Sequence, residues 1–230
     1  MAEETAGGRI SAIRTQKRRT DRANIFLDGR FALSVKASLA QGLHEGDWLS
    51  AEALGALARE DSEGEAYRRG LEFLAHRPRS RWEVRRRLLR RGIQEEAADA
   101  VLGRLADEGL LGDEEFARAW VENREQFRPR SHALLRSELR GKRVDEDAIE
   151  AALTEVREED SCRKAALLVA RRYVALDNES LSDKLMPYLR RRGFSWDLSR
   201  EAVAWVLDAR SSGDLASIEN ETDGSNRDVG

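Results

Sequence analysis

Arginine is the residue that could do chemistry in this chain, both by number and by spacing. Between His76 and Gly92 stand eight arginines against the single Glu83. At 100° per residue, Arg86, Arg87, Arg90 and Arg91 cover one face of a helix whose opposite half carries Val84, Leu88 and Leu89. Arg136, Arg140 and Arg143 fall within one narrow arc of another helix, and Arg190, Arg191 and Arg192 close a third. Such faces hold phosphates through guanidinium forks, or dock on the carboxylates of a protein. Plainer readings stand beside this one. A cation in the last turn of a helix gains about 0.3–1 kcal/mol from the negative helix end without any partner, which accounts for Arg91, Lys142 and Arg192. Arginine also outnumbers lysine 35 to 5 along the whole chain, so the choice of arginine over lysine carries little information. Neither reading explains eight cations in so short a stretch.

Other chemistry is harder to find. No Gly-rich phosphate loop ends in Lys-Ser or Lys-Thr, and no nucleophile elbow occurs. His44, His76 and His132 are scattered, whereas a metal site needs ligands at short spacing. Cys162 lies beside Arg163 and Lys164, which would lower its pKa if it were exposed to them; a half-buried cysteine would show no such effect. The five tryptophans, at positions 48, 82, 120, 196 and 205, fall mostly on helix faces and read as core. We therefore expect no catalytic residue, no metal and no cofactor.

The elements that carry the arginines repeat. "RPRS" occurs at Arg77–Ser80 and again at Arg128–Ser131, and a shift of 51 positions gives ten identities over the 26 residues from Arg77 to Leu102. A weaker third copy follows: Val84, Leu135 and Leu185 correspond, as do Leu88, Leu139 and Leu189, each pair one helical turn apart. Ile93, Val144 and Phe194 share a further site. Self-similarity at this period means stacked supersecondary units, here three tandem three-helix repeats. The first helix of the first copy is expected over Glu65–His76 and that of the second over Glu114–Gln126. Proline at 78 and 129 ends them. Ser80 and Ser131 then cap the second helices and set the repeat register, Ser80 with Glu83 forming a capping box. In the third copy Ser180 with Asp183 is the corresponding pair, and Pro187 lies uncomfortably far inside a helix beginning at Ser182. The third helices follow "QEE", "DED" and "SWD", whose acids suit a positive helix end.

The amino-terminal part differs. "RISAIRTQ" and "RANIFLDGRFALSV" alternate apolar and polar residues, and Asp28-Gly29 is a two-residue hairpin signal. Two short helices are expected after it, near Lys36–Gln41 and Ser50–Glu60. The fold class is thus mostly α, an elongated, curved array of repeats preceded by a small hairpin-containing module. The expected divisions are a disordered start at 1–7, the hairpin module at 8–62, repeats at 63–111, 112–158 and 159–210, and an acidic disordered tail at 211–230.

The formal net charge of -3 conceals segregation. Arg9–Lys36 holds eight basic and two acidic residues, whereas Gln94–Ala117 holds eight acids and only Arg104. Basic faces on a chain of this kind point to a polyanion or an acidic protein surface, although any one charge run also serves as a solvated helix face. No apolar run approaches the ~20 residues of a membrane helix, the start "MAEETAGG" lacks a secretory signal, and the single cysteine fits a reducing compartment. A cytoplasmic location, no membrane and a monomer are the expectations.

Four stretches carry a resemblance. "GRISAIRTQKRRTDRANIFLDGRFALSV", "RPRSRWEVRRRLLRRGI", "LADEGLLGDEEFARAWVENR" and "KLMPYLRRRGFSWDLSREAV" resemble, in this order, the RecX family of regulatory proteins, from Gly8 to about Leu207. The resemblance implies three three-helix repeats after an amino-terminal extension, and a protein without catalytic residues that binds RecA recombinase filaments on single-stranded DNA. Such a protein lodges along the filament groove and inhibits RecA ATP hydrolysis, strand exchange and coprotease action. Contact with the single-stranded DNA itself is expected to be weak or indirect. One departure stands out: Arg143 occupies the place of Gly92 and Gly193 after the second helix, where a left-handed cap is usual. A stand-alone DNA-binding protein built from helix-turn-helix-like units is the alternative reading, and a helical scaffold for another acidic protein is a third.

Overall fold

In the computed structural model, which describes residues 7–213, the alternating amino-terminal segments pair as strands β1 (Gly8–Thr15), β2 (Arg22–Leu27), β3 (Arg30–Lys36) and β4 (Trp48–Leu49). They form one antiparallel sheet in the order β3-β2-β1-β4. Asp28 and Gly29 join β2 to β3, and both take positive φ, 47° and 79°, the pairing that matches strand twist in a two-residue hairpin. Ile10, Ala23, Ile25, Leu27, Val35 and Leu49 are buried apolar positions of this sheet, and Ala40, with Leu54 of the following helix, completes their cluster.

Helix α1 runs unbroken over Ala51–Leu74, with Ser50 Oγ accepting the Ala53 amide at 3.1 Å. The two separate helices expected near Ser50–Glu60 and Glu65–His76 are therefore one, and the expected division at 62/63 falls inside it. The polar stretch between them, Asp61-Ser62-Glu63-Gly64, contains no proline, and one glycine costs a helix only about 1 kcal/mol. Asp61 also ties the middle of the helix to the sheet. Its carboxylate accepts from the Lys36 amide at 2.6 Å and pairs with Arg22 at 2.9 Å. Of the other short helix expected near Lys36–Gln41, only a 3-10 turn over Ala37–Ala40 forms.

The remaining helices are α2 (Arg81–Leu89), α3 (Glu95–Asp107), α4 (Asp113–Phe127), α5 (His132–Gly141), α6 (Glu146–Thr154), α7 (Glu158–Ala170), α8 (Asn178–Arg191) and α9 (Trp196–Ser211). Among the described residues the three repeats are α1–α3, α4–α6 and α7–α9, each around its own core. The equivalent positions Val84, Leu135, Leu185 and Leu88, Leu139, Leu189 are all buried. Each pair contributes apolar area to the core of its three-helix unit, where burial stabilises by about 25 cal/mol per Å².

Helix α8 departs from the expectation of a start at Ser182. It begins at Asn178, because the Asp177 carboxylate accepts the Ser180 amide at 2.8 Å and makes an earlier cap than the expected pair of Ser180 and Asp183. Pro187 lies within this helix on an exposed position, and the helix continues past it to Arg191. Over the described residues the chain divides into two compact units, one of 7–79 with 83–111, the other of 80–82 with 112–213. The disordered ends expected at 1–7 and 211–230 lie, apart from Gly7 and Ser211–Gly213, outside the described residues.

Candidate functional site

The basic face of the first repeat is built by α2 and the turn that closes it. Arg86 and Arg87 stand on the helix, while Arg90 and Arg91 belong to the turn, where the Gly92 and Ile93 amides return to the Leu89 and Leu88 carbonyls at 3.0 and 3.3 Å. Gly92 takes φ 81° there, the left-handed cap that glycine adopts without steric cost. Arg86, Arg90 and Arg91 are exposed. Among the described residues no side chain pairs with Arg90 or Arg91. Arg87 is half-buried, with its guanidinium 5.4 Å from the centre of the Phe73 ring, and Arg79 stacks on the same ring at 4.1 Å. A pocket of about 360 Å³ opens beside them, lined in part by Arg68, Arg69, Phe73, Arg87 and Arg91.

The second repeat arranges its arginines differently. Arg136 grips Glu150 with two hydrogen bonds of 2.6 and 2.9 Å, and Arg140 grips Glu146 at 2.9 and 2.5 Å. Hydrogen bonding to these carboxylates raises the pKa of both arginines and holds Glu146 and Glu150 below the usual carboxylate range. Arg136 corresponds in register to Arg85, which makes the same fork to Asp99, the equivalent of Glu150, at 2.6 and 3.1 Å. This arginine-to-acid strut between second and third helix recurs in two repeats and is part of the repeat's architecture. Arg143 remains exposed, with φ 58°. The chain thus keeps the left-handed cap without glycine, at a cost of about 1 kcal/mol or more.

In the third repeat the three arginines diverge. Arg190 donates to the Phe194 carbonyl at 2.6 Å, Arg191 is exposed, and Arg192 lies 5.0 Å from the Tyr188 ring.

The "RPRS" corner does more than mark register. Ser131 Oγ accepts the Leu134 amide at 3.2 Å, capping α5, and the Ser131 amide donates to the Arg192 carbonyl at 3.0 Å. The corner of the second repeat is thereby seated on the end of the third repeat's second helix. In the same unit Ser80 Oγ donates to the carbonyl of Lys142, the equivalent of Arg192, at 2.9 Å. Both serines are fully buried.

Sequence reasoning missed Glu138. Its carboxylate accepts from Trp120 Nε1 at 2.8 Å and Arg124 Nε at 3.0 Å, and it pairs with Arg130. The available signal was an acid amid the arginines of the second copy at the register position of Arg87. Cys162 is buried, and desolvation pushes its thiol up to about 12 despite Arg163. Among the described residues no cluster of His, Cys, Asp and Glu could hold a metal ion, and no helix is long and apolar enough to cross a membrane.

Comparison with known proteins places this architecture. Residues 8–48 match the Regulatory protein RecX N-terminal domain, residues 66–105 the RecX first three-helix domain, and residues 113–153 the RecX second three-helix domain. The chain is 33% identical over 199 residues to the Regulatory protein RecX of Bacillus subtilis (strain 168), covering 84% of this chain and 75% of the relative. It is 36% identical over 143 residues to that of Mycobacterium avium (strain 104), covering 60% of this chain and 83% of the relative. A crystal structure of a regulatory protein RecX aligns with TM-score 0.60 at 28% identity, over 84% of this chain and 97% of that one.

Proposed function

Because the chain belongs to the RecX family of regulatory proteins, we propose that it is a non-enzymatic regulator that binds RecA filaments on single-stranded DNA. On this reading it restrains RecA, inhibiting ATP hydrolysis, strand exchange and coprotease action. The contacting face is formed by Arg86, Arg87, Arg90 and Arg91, extended by Arg143 and Arg191. Arg136, Arg140, Arg190 and Arg192 take a lesser part, since each is already engaged within the chain. The observation that carries this reading is the exposure of Arg90 and Arg91, with no side-chain partner among the described residues, beside Arg86 and Arg87. Cations held clear of internal acids are available to an external anion, whereas those gripped by Glu146 and Glu150 must first exchange partners.

The test compares binding to RecA filaments with binding to naked DNA across a salt series. Tight filament binding with weak DNA binding supports the proposal. Tight, sequence-selective binding to naked DNA with a steep salt slope refutes it in favour of a stand-alone DNA-binding protein.

A further inference from the structure

The two "RPRS" corners are built alike and filled differently. Positions 51 apart are Arg69 and Trp120, Phe73 and Arg124, Arg79 and Arg130, and Arg87 and Glu138. In the second repeat the corner holds its own anion: Trp120, Arg124 and Arg130 converge on the Glu138 carboxylate, whose side chain keeps only 14% of its surface exposed. The first repeat has Arg87 at that position. At the place of the Glu138 carboxylate there is a pocket of about 360 Å³, within the ~300–1,000 Å³ range of ligand sites, whose lining carries four arginines against the single Glu72, while the corner's own buried acid, Glu83, lies outside that lining and pairs with Arg77 at 3.4 Å. Glu72 is itself engaged by Arg68, while Arg69 reaches Glu65 at 2.7 Å and the Arg91 carbonyl at 3.1 Å. Arg87 and Arg91 are left facing the space with only the Phe73 ring against Arg87. The neighbouring Arg79 guanidinium is held below its usual range by burial and then by the like charge of Arg77 and Arg87, Glu83 opposing, as expected where cations crowd without enough anion.

We propose that this pocket is a phosphate seat, in which an external phosphate group takes the place that the Glu138 carboxylate fills in the second repeat. Arg87 and Arg91 supply the forks, while Arg68 and Arg69, already paired with Glu65 and Glu72, line the wall behind them. Phosphate fits better than carboxylate on chemical grounds. A carboxylate offers two coplanar oxygens, and Glu138 shows that two guanidiniums and an indole suffice for it. A phosphate offers more acceptor oxygens in a tetrahedral arrangement, which suits several guanidiniums around a wider space. The phosphate can come from a nucleic-acid backbone or be free in solution, and the seat serves both. This inference deepens the reading of the first repeat's basic face, but it requires no RecA.

The test uses the full chain alone at low ionic strength, titrated with a labelled oligothymidylate and with inorganic pyrophosphate, with a glutamate-rich peptide as competitor. Arg87→Glu copies the residue of the second repeat and should fill the seat from within. Arg87→Gln removes the charge without adding an acid, and covers the case in which Arg87→Glu disturbs folding. Arg200→Glu, on α9, makes the same change in net charge elsewhere. Both Arg87 variants are expected to weaken pyrophosphate binding, Arg87→Glu by about tenfold or more, with Arg200→Glu close to the parent. Pyrophosphate that displaces the oligonucleotide assigns the seat to a backbone phosphate. Pyrophosphate binding that depends on Arg87 while the oligonucleotide is unaffected assigns it to a free phosphate. Equal losses in Arg87→Glu and Arg200→Glu, no pyrophosphate binding by the parent, or stronger competition by the acidic peptide would overturn the proposal. Because RecA is absent throughout, failure to regulate RecA leaves this result intact, and the converse also holds.

Discussion

Replacing Gly193 with alanine tests how one repeat is seated on the next. Gly193 takes φ 88°, so any L side chain there costs about 1 kcal/mol from backbone strain alone. A Cβ built on it would also meet Ser131 Oγ far inside van der Waals contact and lie 3.3 Å from Leu134 Cβ. Ser131 cannot swing aside freely, because its hydroxyl caps α5 through the Leu134 amide, and losing such a cap costs about 1 kcal/mol. The expected destabilisation is therefore about 2–3 kcal/mol. Gly92 provides the internal comparison: its φ is 81°, but a Cβ there meets nothing within 4 Å, so Gly92→Ala should cost only about 1 kcal/mol. The assay is chemical denaturation of the full chain for Gly193→Ala, Ser131→Ala, the double variant and Gly92→Ala. Removing the hydroxyl should relieve the clash, giving a coupling between positions 131 and 193 of about 1 kcal/mol. Additive costs for the two single changes, or a Gly92→Ala cost equal to that of Gly193→Ala, would refute the reasoning.

Glu138→Ala strips the shared anion from Arg124 and Arg130, whose side chains keep 20% and 25% exposure. Discounted for that exposure, the loss should be about 2–3 kcal/mol by chemical denaturation, and a loss below about 0.5 kcal/mol would contradict the role assigned to the corner. Arg140→Gln breaks only a solvent-exposed pair with Glu146, so the unfolding midpoint and RecA inhibition should both stay near those of the parent; a marked loss of inhibition would make Arg140 a contact residue. For Cys162 the folded thiol holds its proton up to about 12, while the unfolded thiol releases it near 9.0. The unfolded chain therefore binds fewer protons in this window, and stability should fall as pH rises from 9.0 towards 12 by at most ~1.4 kcal/mol per unit. The part due to Cys162 should vanish in Cys162→Ala, and an identical pH dependence in that variant would count against the assignment.

What the sequence made legible were features fixed by near neighbours. Asp28-Gly29 specified its hairpin because few residues tolerate two consecutive positive φ angles. The three repeats showed themselves through Val84, Leu135 and Leu185 because each repeat must bury the same knob. What escaped depended on distant partners. The stretch from Asp61 to Gly64 is polar and looks like a linker, yet Asp61 is held by Arg22 and the Lys36 amide of a sheet formed far upstream. The expected α8 start was misplaced because the repeat register points to Ser180, whereas the cap is Asp177 three residues upstream, whose carboxylate accepts the Ser180 amide. At the site, a helical projection groups Arg136 with Arg140 and Arg143 but is blind to Glu146 and Glu150 on the following helix. The register could have disclosed the strut, since Arg85 with Asp99 and Arg136 with Glu150 occupy equivalent positions. Nothing in a projection of the second helices shows that Glu138 gathers Trp120, Arg124 and Arg130 in one copy while its counterpart Arg87 lines a pocket in the other. That contrast appears only when the copies are aligned and the contacts are known.

We propose that the first repeat's arginines act on a RecA filament. The most direct test is the ATPase rate of RecA on single-stranded DNA with increasing amounts of this protein, beside a variant in which Arg86, Arg87, Arg90 and Arg91 are all reversed to glutamate. The parent should inhibit, and the variant, with unchanged helical content, should not. Undiminished inhibition by the folded variant would contradict the proposal.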